Sequence, residues 1–69
     1  MRRWTRSVVR KKITVHTTTA TFEGILKEEH RDGLVLINTI LIREEGGPLE
    51  MSGDTFIPRE AVTVIQVFG

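Results

Sequence analysis

Residues 13–36 read ITVHTTTATFEGILKEEHRDGLVL. Ile13, Val15 and Thr17 alternate with Thr14, His16 and Thr18. β-Branched side chains dominate, and they fit a pleated strand better than a helix. Thr18-Thr19-Ala20 then makes a short turn. Residues 21–29 form a second strand, with Phe22, Gly24 and Leu26 on one face and Glu23, Ile25 and Lys27 on the other. A glycine inside a strand marks a bend or a close backbone approach, and Gly24 is placed for one. His30-Arg31-Asp32-Gly33 carries the Asp-Gly signal of a tight turn.

Beyond this stretch, residues 34–43 (LVLINTILIR) predict the longest strand. Strict alternation puts Leu34, Leu36, Asn38, Ile40 and Ile42 on one face and Val35, Ile37, Thr39 and Leu41 on the other. Both faces are largely apolar, so the strand is either covered on both sides or bends between two sheets. Glu44–Pro48 is a turn, and 49–58 is a fourth strand with an interruption at Ser52-Gly53, stopped by Pro58. Arg59-Glu60-Ala61 reads as one tight turn. The last strand, 62–68, sets Val62, Val64 and Phe68 on one face and Ile65 and Val67 on the other. An edge strand with two apolar faces needs a partner.

Working the other way, residues 1–12 hold Arg2, Arg3, Arg6, Arg10, Lys11 and Lys12 and no acid, a charge of +6. The remainder carries −5, which gives the net +1 of the whole chain. Trp4 and Val8 lie four apart, which predicts a short helix over 3–11 with a narrow apolar stripe. So short a helix must dock on something to persist. The leader is an arm or helix that meets phosphates, a solvated terminal segment, or a segment pairing with the acidic body of a neighbouring subunit. Trp4 either stacks on a nucleic-acid base or pins the helix to the body; the second reading is preferred.

Sixty-nine residues make one domain, 1–69, with a leader (1–12) and a body (13–69). A hydrophobic share of 39% and a charged share of 28% argue against wholesale disorder. The absence of cysteine removes disulfides and thiolate metal sites as sources of stability, which leaves self-association. No apolar run reaches the ~20 residues of a membrane helix, and no signal core follows the arginines. A cytoplasmic protein is expected. Five bent antiparallel strands in under sixty residues suit a small barrel of the SH3-like or OB-like kind. The one-turn break before the last strand and the lack of a central helix favour the former. The class is therefore all-β, with a minor helical part from the leader.

Catalytic and metal-binding roles find little support. The two histidines, His16 and His30, show no ligand spacing with the carboxylates. His16 is read as a surface residue, and His30 as either a solvated turn residue or a pore residue. Glu28 and Glu29 are adjacent and point to opposite sides of a strand, which is poor for a carboxylate pair. No helix start follows Gly46-Gly47-Pro48, so it is a turn and not a phosphate loop. No enzyme activity, cofactor or metal is expected.

The stretch 13–36 resembles the first motif of the Sm and Sm-like proteins. The resemblance rests on its Val-x-Val-type opening strand, Phe22-x-Gly24-x-Leu26 and Leu34-Val35-Leu36. The stretch 55–67 (TFIPREAVTVIQV) resembles the second motif, with Ile57, Val62 and Ile65 at its apolar positions. The two cover more than half of the chain in the family's order. The resemblance implies a strongly bent five-stranded barrel with an N-terminal helix. It also implies a homo-oligomeric ring of six or seven subunits, in which the fourth strand of one subunit pairs with the fifth of the next. Phe56, Ile57, Val62, Val64, Ile65 and Val67 are then the candidate subunit interface.

In RNA-binding family members a residue after the second strand stacks on uracil, an Asn reads the base edge, and an Arg of the second motif closes the pocket. The stacking position falls on Arg31, the Asn on Gly33, the preceding acid on Glu29, and the second-motif Arg-Gly on Pro58-Arg59. The Asn is thus absent and the Arg is lost or displaced by one residue, and the Tyr-Lys-His signature of the Hfq branch is missing too. What remains is charge. His30, Arg31 and Arg59 at the pore, with Arg2, Arg3, Arg6, Arg10, Lys11 and Lys12 of the leader, are the candidate RNA-binding residues. The expected function is non-enzymatic binding of single-stranded RNA with relaxed sequence preference. The alternative is a structural or adaptor ring, of phage or mobile-element type, that binds protein partners.

Overall fold

The computed structural model describes residues 10–43 and 45–68. The expected helix over 3–11 lies outside them except for its last two residues, and these are not helical. Arg10 sits at φ 72°, a left-handed conformation through which no right-handed helix continues. Arg2, Arg3, Trp4, Arg6 and Val8 lie outside the described residues.

The body is built from β1 (Lys12–Thr17), β2 (Thr21–His30), β3 (Gly33–Ile42), β4 (Leu49–Met51) and β5 (Thr55–Pro58). A single 3₁₀ turn (Arg59–Ala61) leads into β6 (Val62–Phe68). The sheet runs β4-β3-β2-β1-β6, every pairing antiparallel, and β5 pairs with the first half of β3. The expected interruption in the fourth strand is real: β4 lies along Thr39–Leu41 and β5 along Gly33–Leu36. Among the described residues, β4, β5 and β6 each have one strand partner, so each leaves one edge unpaired.

The core consists of Ile13 and Val15 from β1, Leu26 from β2, Leu34 and Leu36 from β3, and Ile57 from β5. Phe22, Val62 and Ile65 pack against it, partly buried. These six aliphatic side chains, counted among the described residues, make the small core that surface-to-volume scaling dictates for a chain of this size.

Three bulges give the sheet its curvature, and they correct the face assignments made by alternation. In the β2–β3 ladder Glu23 pairs with Ile40 but Ile25 pairs with Ile37, so Gly24 faces both Asn38 and Thr39. Asn38 takes φ 52°, which asparagine tolerates better than most residues. The extra residue reverses the pleat. Leu34 and Leu36 point inward as expected, but Thr39 is then buried and Asn38 exposed. Gly24 suits the close approach, since a Cβ would lie 3.0 Å from the Ile37 carbonyl oxygen and 3.1 Å from Thr39 Oγ1, and those neighbours would have to give way.

The second bulge leaves Lys27 without a partner in the ladder, between Leu26↔Leu36 and Glu28↔Val35. Lys27 instead donates to Asp54 Oδ2 at 2.8 Å, tying β2 to the β4–β5 bend. This hydrogen bond and the carboxylate's charge raise the lysine's pKa, but the pair is exposed and adds little to stability.

The third bulge sits where His16 pairs with Val64 and Thr17 with Val62. Thr63 is the extra residue, and its hydroxyl donates to the His16 carbonyl at 3.0 Å. As a result Val62 and Ile65 both turn to the core and Val64 and Phe68 face outward at 53% and 47% exposure, while Val67, opposite Ile13 on the Ile65 face, is 43% exposed. The expected grouping of Val62 with Val64 does not occur. His16 is partly buried and engaged: Nε2 lies 2.8 Å from Gln66 Oε1 of the neighbouring strand.

Candidate nucleic-acid interface

Pairing of Gly33 with Pro58 brings the start of β3 against the end of β5. The 30–33 turn and the 59–61 turn therefore lie side by side, and Arg59 joins them. Its backbone N–H donates to the Asp32 carbonyl at 2.8 Å. Its Nε donates to the Arg31 carbonyl at 3.0 Å, and Nη2 donates to the His30 carbonyl at 2.6 Å and to Glu29 Oε2 at 2.5 Å. The Glu29 side chain is only 4% exposed, so this is a charge-assisted bond with one partner out of water. Arg59 thus reaches across to the 30–33 turn and holds it through Nε and Nη2.

The remaining cation at the turn is Arg31. It is exposed, and among the described residues its side chain makes no hydrogen bond or ion pair. His30 leans back on β2, with Nε2 2.6 Å from Glu28 Oε1. Between the two turns lies an open cleft of about 580 Å³ lined by Arg31, Asp32, Phe56, Pro58, Arg59 and Glu60.

Gly33 explains why no base-reading side chain occupies its position. A Cβ there would overlap the Ile57 carbonyl oxygen and come within 2.6 Å of Phe56 Cζ. The space is filled by the aromatic ring and by the neighbouring strand's backbone.

The candidate cations do not gather in one place. His30, Arg31 and Arg59 share the turn region. Arg10 and Lys11 lie beside Leu26, well back along β2: Arg10 N–H donates to the Leu26 carbonyl, and Leu26 N–H to that of Lys11. Lys12 is 3.6 Å from Glu23 on β2. Of the candidate interface residues, Phe56, Val64 and Val67 are exposed. Ile57 is 2% exposed and belongs to the core, which removes its side chain from the interface, and Val62 and Ile65 also face inward. Phe56 and Ile57 are neighbours on one strand, so the pleat sends them to opposite faces. Ile42, Leu49 and Phe68 are exposed apolar residues outside the sequence-derived set. Asp32 and Glu60, which line the cleft, were legible only as turn residues.

A strongly bent antiparallel sheet whose last strand returns to the first after a 3₁₀ turn defines a class of small barrel, and two solved Sm proteins share it over nearly the whole chain. A heptameric archaeal Sm protein superposes with a TM-score of 0.81 at 20% identity, covering 93% of this chain and 94% of that one. The P. aerophilum SmAP1 heptamer gives the same TM-score and identity, covering 93% of this chain and 86% of that one. The chain has the Sm fold. No protein-family model and no curated protein matches its sequence.

Proposed function

We propose that this chain closes into a homo-oligomeric ring and binds single-stranded RNA at the ring's pore, as a binding protein and not an enzyme. The observation that carries the ring is the unpaired edges at the two ends of the sheet, β4–β5 at one and β6 at the other, flanked by exposed Phe56, Val64, Val67 and Phe68. Pairing one copy's β5 with the next copy's β6 satisfies both edges and covers these side chains. Two solved structures of the same fold are heptamers, which favours seven subunits.

The RNA reading rests on Arg31 at the mouth of the cleft and on the six cations of the leader. Repeated around a ring, Arg31 supplies a circle of phosphate-attracting charge, and the leader adds six cations to each copy. Sequence preference is weak at position 33, because Gly33 offers no side chain to a base edge. Titrating salt against binding of a mixed-sequence single-stranded RNA tests this. Each neutralised phosphate contributes a log–log slope of about −0.7, so a few contacts give about −2 or steeper. An assembled ring that ignores RNA even at low salt would overturn the reading in favour of a protein-binding or structural ring.

A further inference from the structure

We propose that His30 makes RNA binding pH-dependent: its imidazole takes up a proton at Nδ1 as pH falls, and the new N–H contacts a phosphate. The inference rests on the RNA reading above and specifies how that site is regulated.

The charges about the two turns are unbalanced. Glu28 and Glu29 lie on the strand that ends in His30, Arg31 and Asp32 on the turn that follows, and Arg59 and Glu60 on the 3₁₀ turn beside it. Gly33, Leu34 and Val35 on β3, and Phe56, Ile57 and Pro58 paired with them on β5, carry no charge. Four carboxylates thus stand against two guanidiniums, and one of these, Arg59, is already paired with Glu29. Arg31 alone does not reverse that field for an approaching polyanion, so one more cation per copy weighs heavily.

The geometry decides which nitrogen titrates. His30 Nε2 lies 2.6 Å from Glu28 Oε1, two residues back on the same strand face. An ionised carboxylate only accepts hydrogen bonds, so Nε2 carries the hydrogen and the neutral ring's lone pair is on Nδ1. Nδ1 makes no hydrogen bond among the described residues, and the side chain is half exposed. A proton added there creates a second N–H donor with no partner in the fold, while Glu28 keeps the ring in place. Histidines change charge between about pH 5 and 8, a range in which ordinary carboxylates stay ionised. Binding therefore tightens as pH falls.

The test uses fluorescently labelled oligouridylate, whose bases do not titrate in this range, with binding followed by anisotropy on the assembled full-length protein. In about 0.1 M salt, binding at about pH 5.5 is expected to be about fivefold tighter than at about pH 7.5, the size of one more neutralised phosphate. The log–log salt slope is expected to steepen by about 0.7. His30→Gln, always neutral, is expected to bind at both pH values as the unaltered protein does at the higher one. His30→Arg, always charged, is expected to bind at both as the unaltered protein does at the lower one. His16→Gln removes the chain's other histidine and is expected to leave the response intact. Equal binding by the unaltered protein at the two pH values would overturn the inference and leave RNA binding standing. A response that survives His30→Gln would also overturn it. Binding at neither pH would remove the RNA reading itself.

Discussion

Gly33→Ala is expected to lower the melting temperature by about 10–20 °C, corresponding to about 2–3 kcal/mol in a domain of this size. The new methyl group meets two obstacles. One is the Phe56 ring, which can swing aside. The other is the Ile57 carbonyl oxygen, which is part of the β5 backbone and cannot. Relief requires β5 to move away from β3, and that loosens the Gly33–Pro58 pairing and the hydrogen bonds Arg59 makes to the turn. Combining Gly33→Ala with Phe56→Ala separates the two causes. Because the backbone obstacle remains, the second change is expected to restore little of the lost stability. A melting temperature for Gly33→Ala within about 3 °C of the unaltered protein, a difference of under ~1 kcal/mol, would contradict the close approach.

The second large effect is expected at Leu36. Its side chain is fully buried, paired across the ladder with Leu26 on one side and Thr55 on the other. Truncation to alanine costs about 2–5 kcal/mol, combining lost transfer energy with a cavity. A 69-residue domain has a total stability of about 3–10 kcal/mol, so this one change consumes most of the lower estimate. Urea denaturation at fixed protein concentration reads it as a large drop in midpoint or as loss of the folded baseline. Ile42→Ala is the comparison, since Ile42 is 43% exposed at the other end of the same strand. Similar losses for the two variants would contradict the core assignment.

The strands were largely legible because period-two alternation and β-branched residues are local signals, and Gly24 marked the bend through its lack of a side chain. The errors fall where a bulge inserts one residue. Alternation carried through Asn38 assigns Thr39 to the wrong face, and carried through Thr63 it separates Val62 from Ile65. A bulge is a property of two paired strands, so one strand's sequence does not reveal its position.

The site follows the same logic. Arg31 and Arg59 were legible as charges near turns. That Arg59 holds the other turn, 28–30 residues away, depends on the β3–β5 register, which no spacing encodes. Asp32 and Glu60 read as turn residues because their nearness to one another is likewise a consequence of that register.

The central claim is that β5 and β6 complete one another between copies, and native mass spectrometry of the purified protein tests it directly. The expected species is a closed ring of about 55 kDa, seven copies of the 7.9 kDa chain. Val64→Glu, which places a charge on the outward face of β6, is expected to shift that species toward single chains. A stable 7.9 kDa monomer as the sole species of the unaltered protein would contradict the claim.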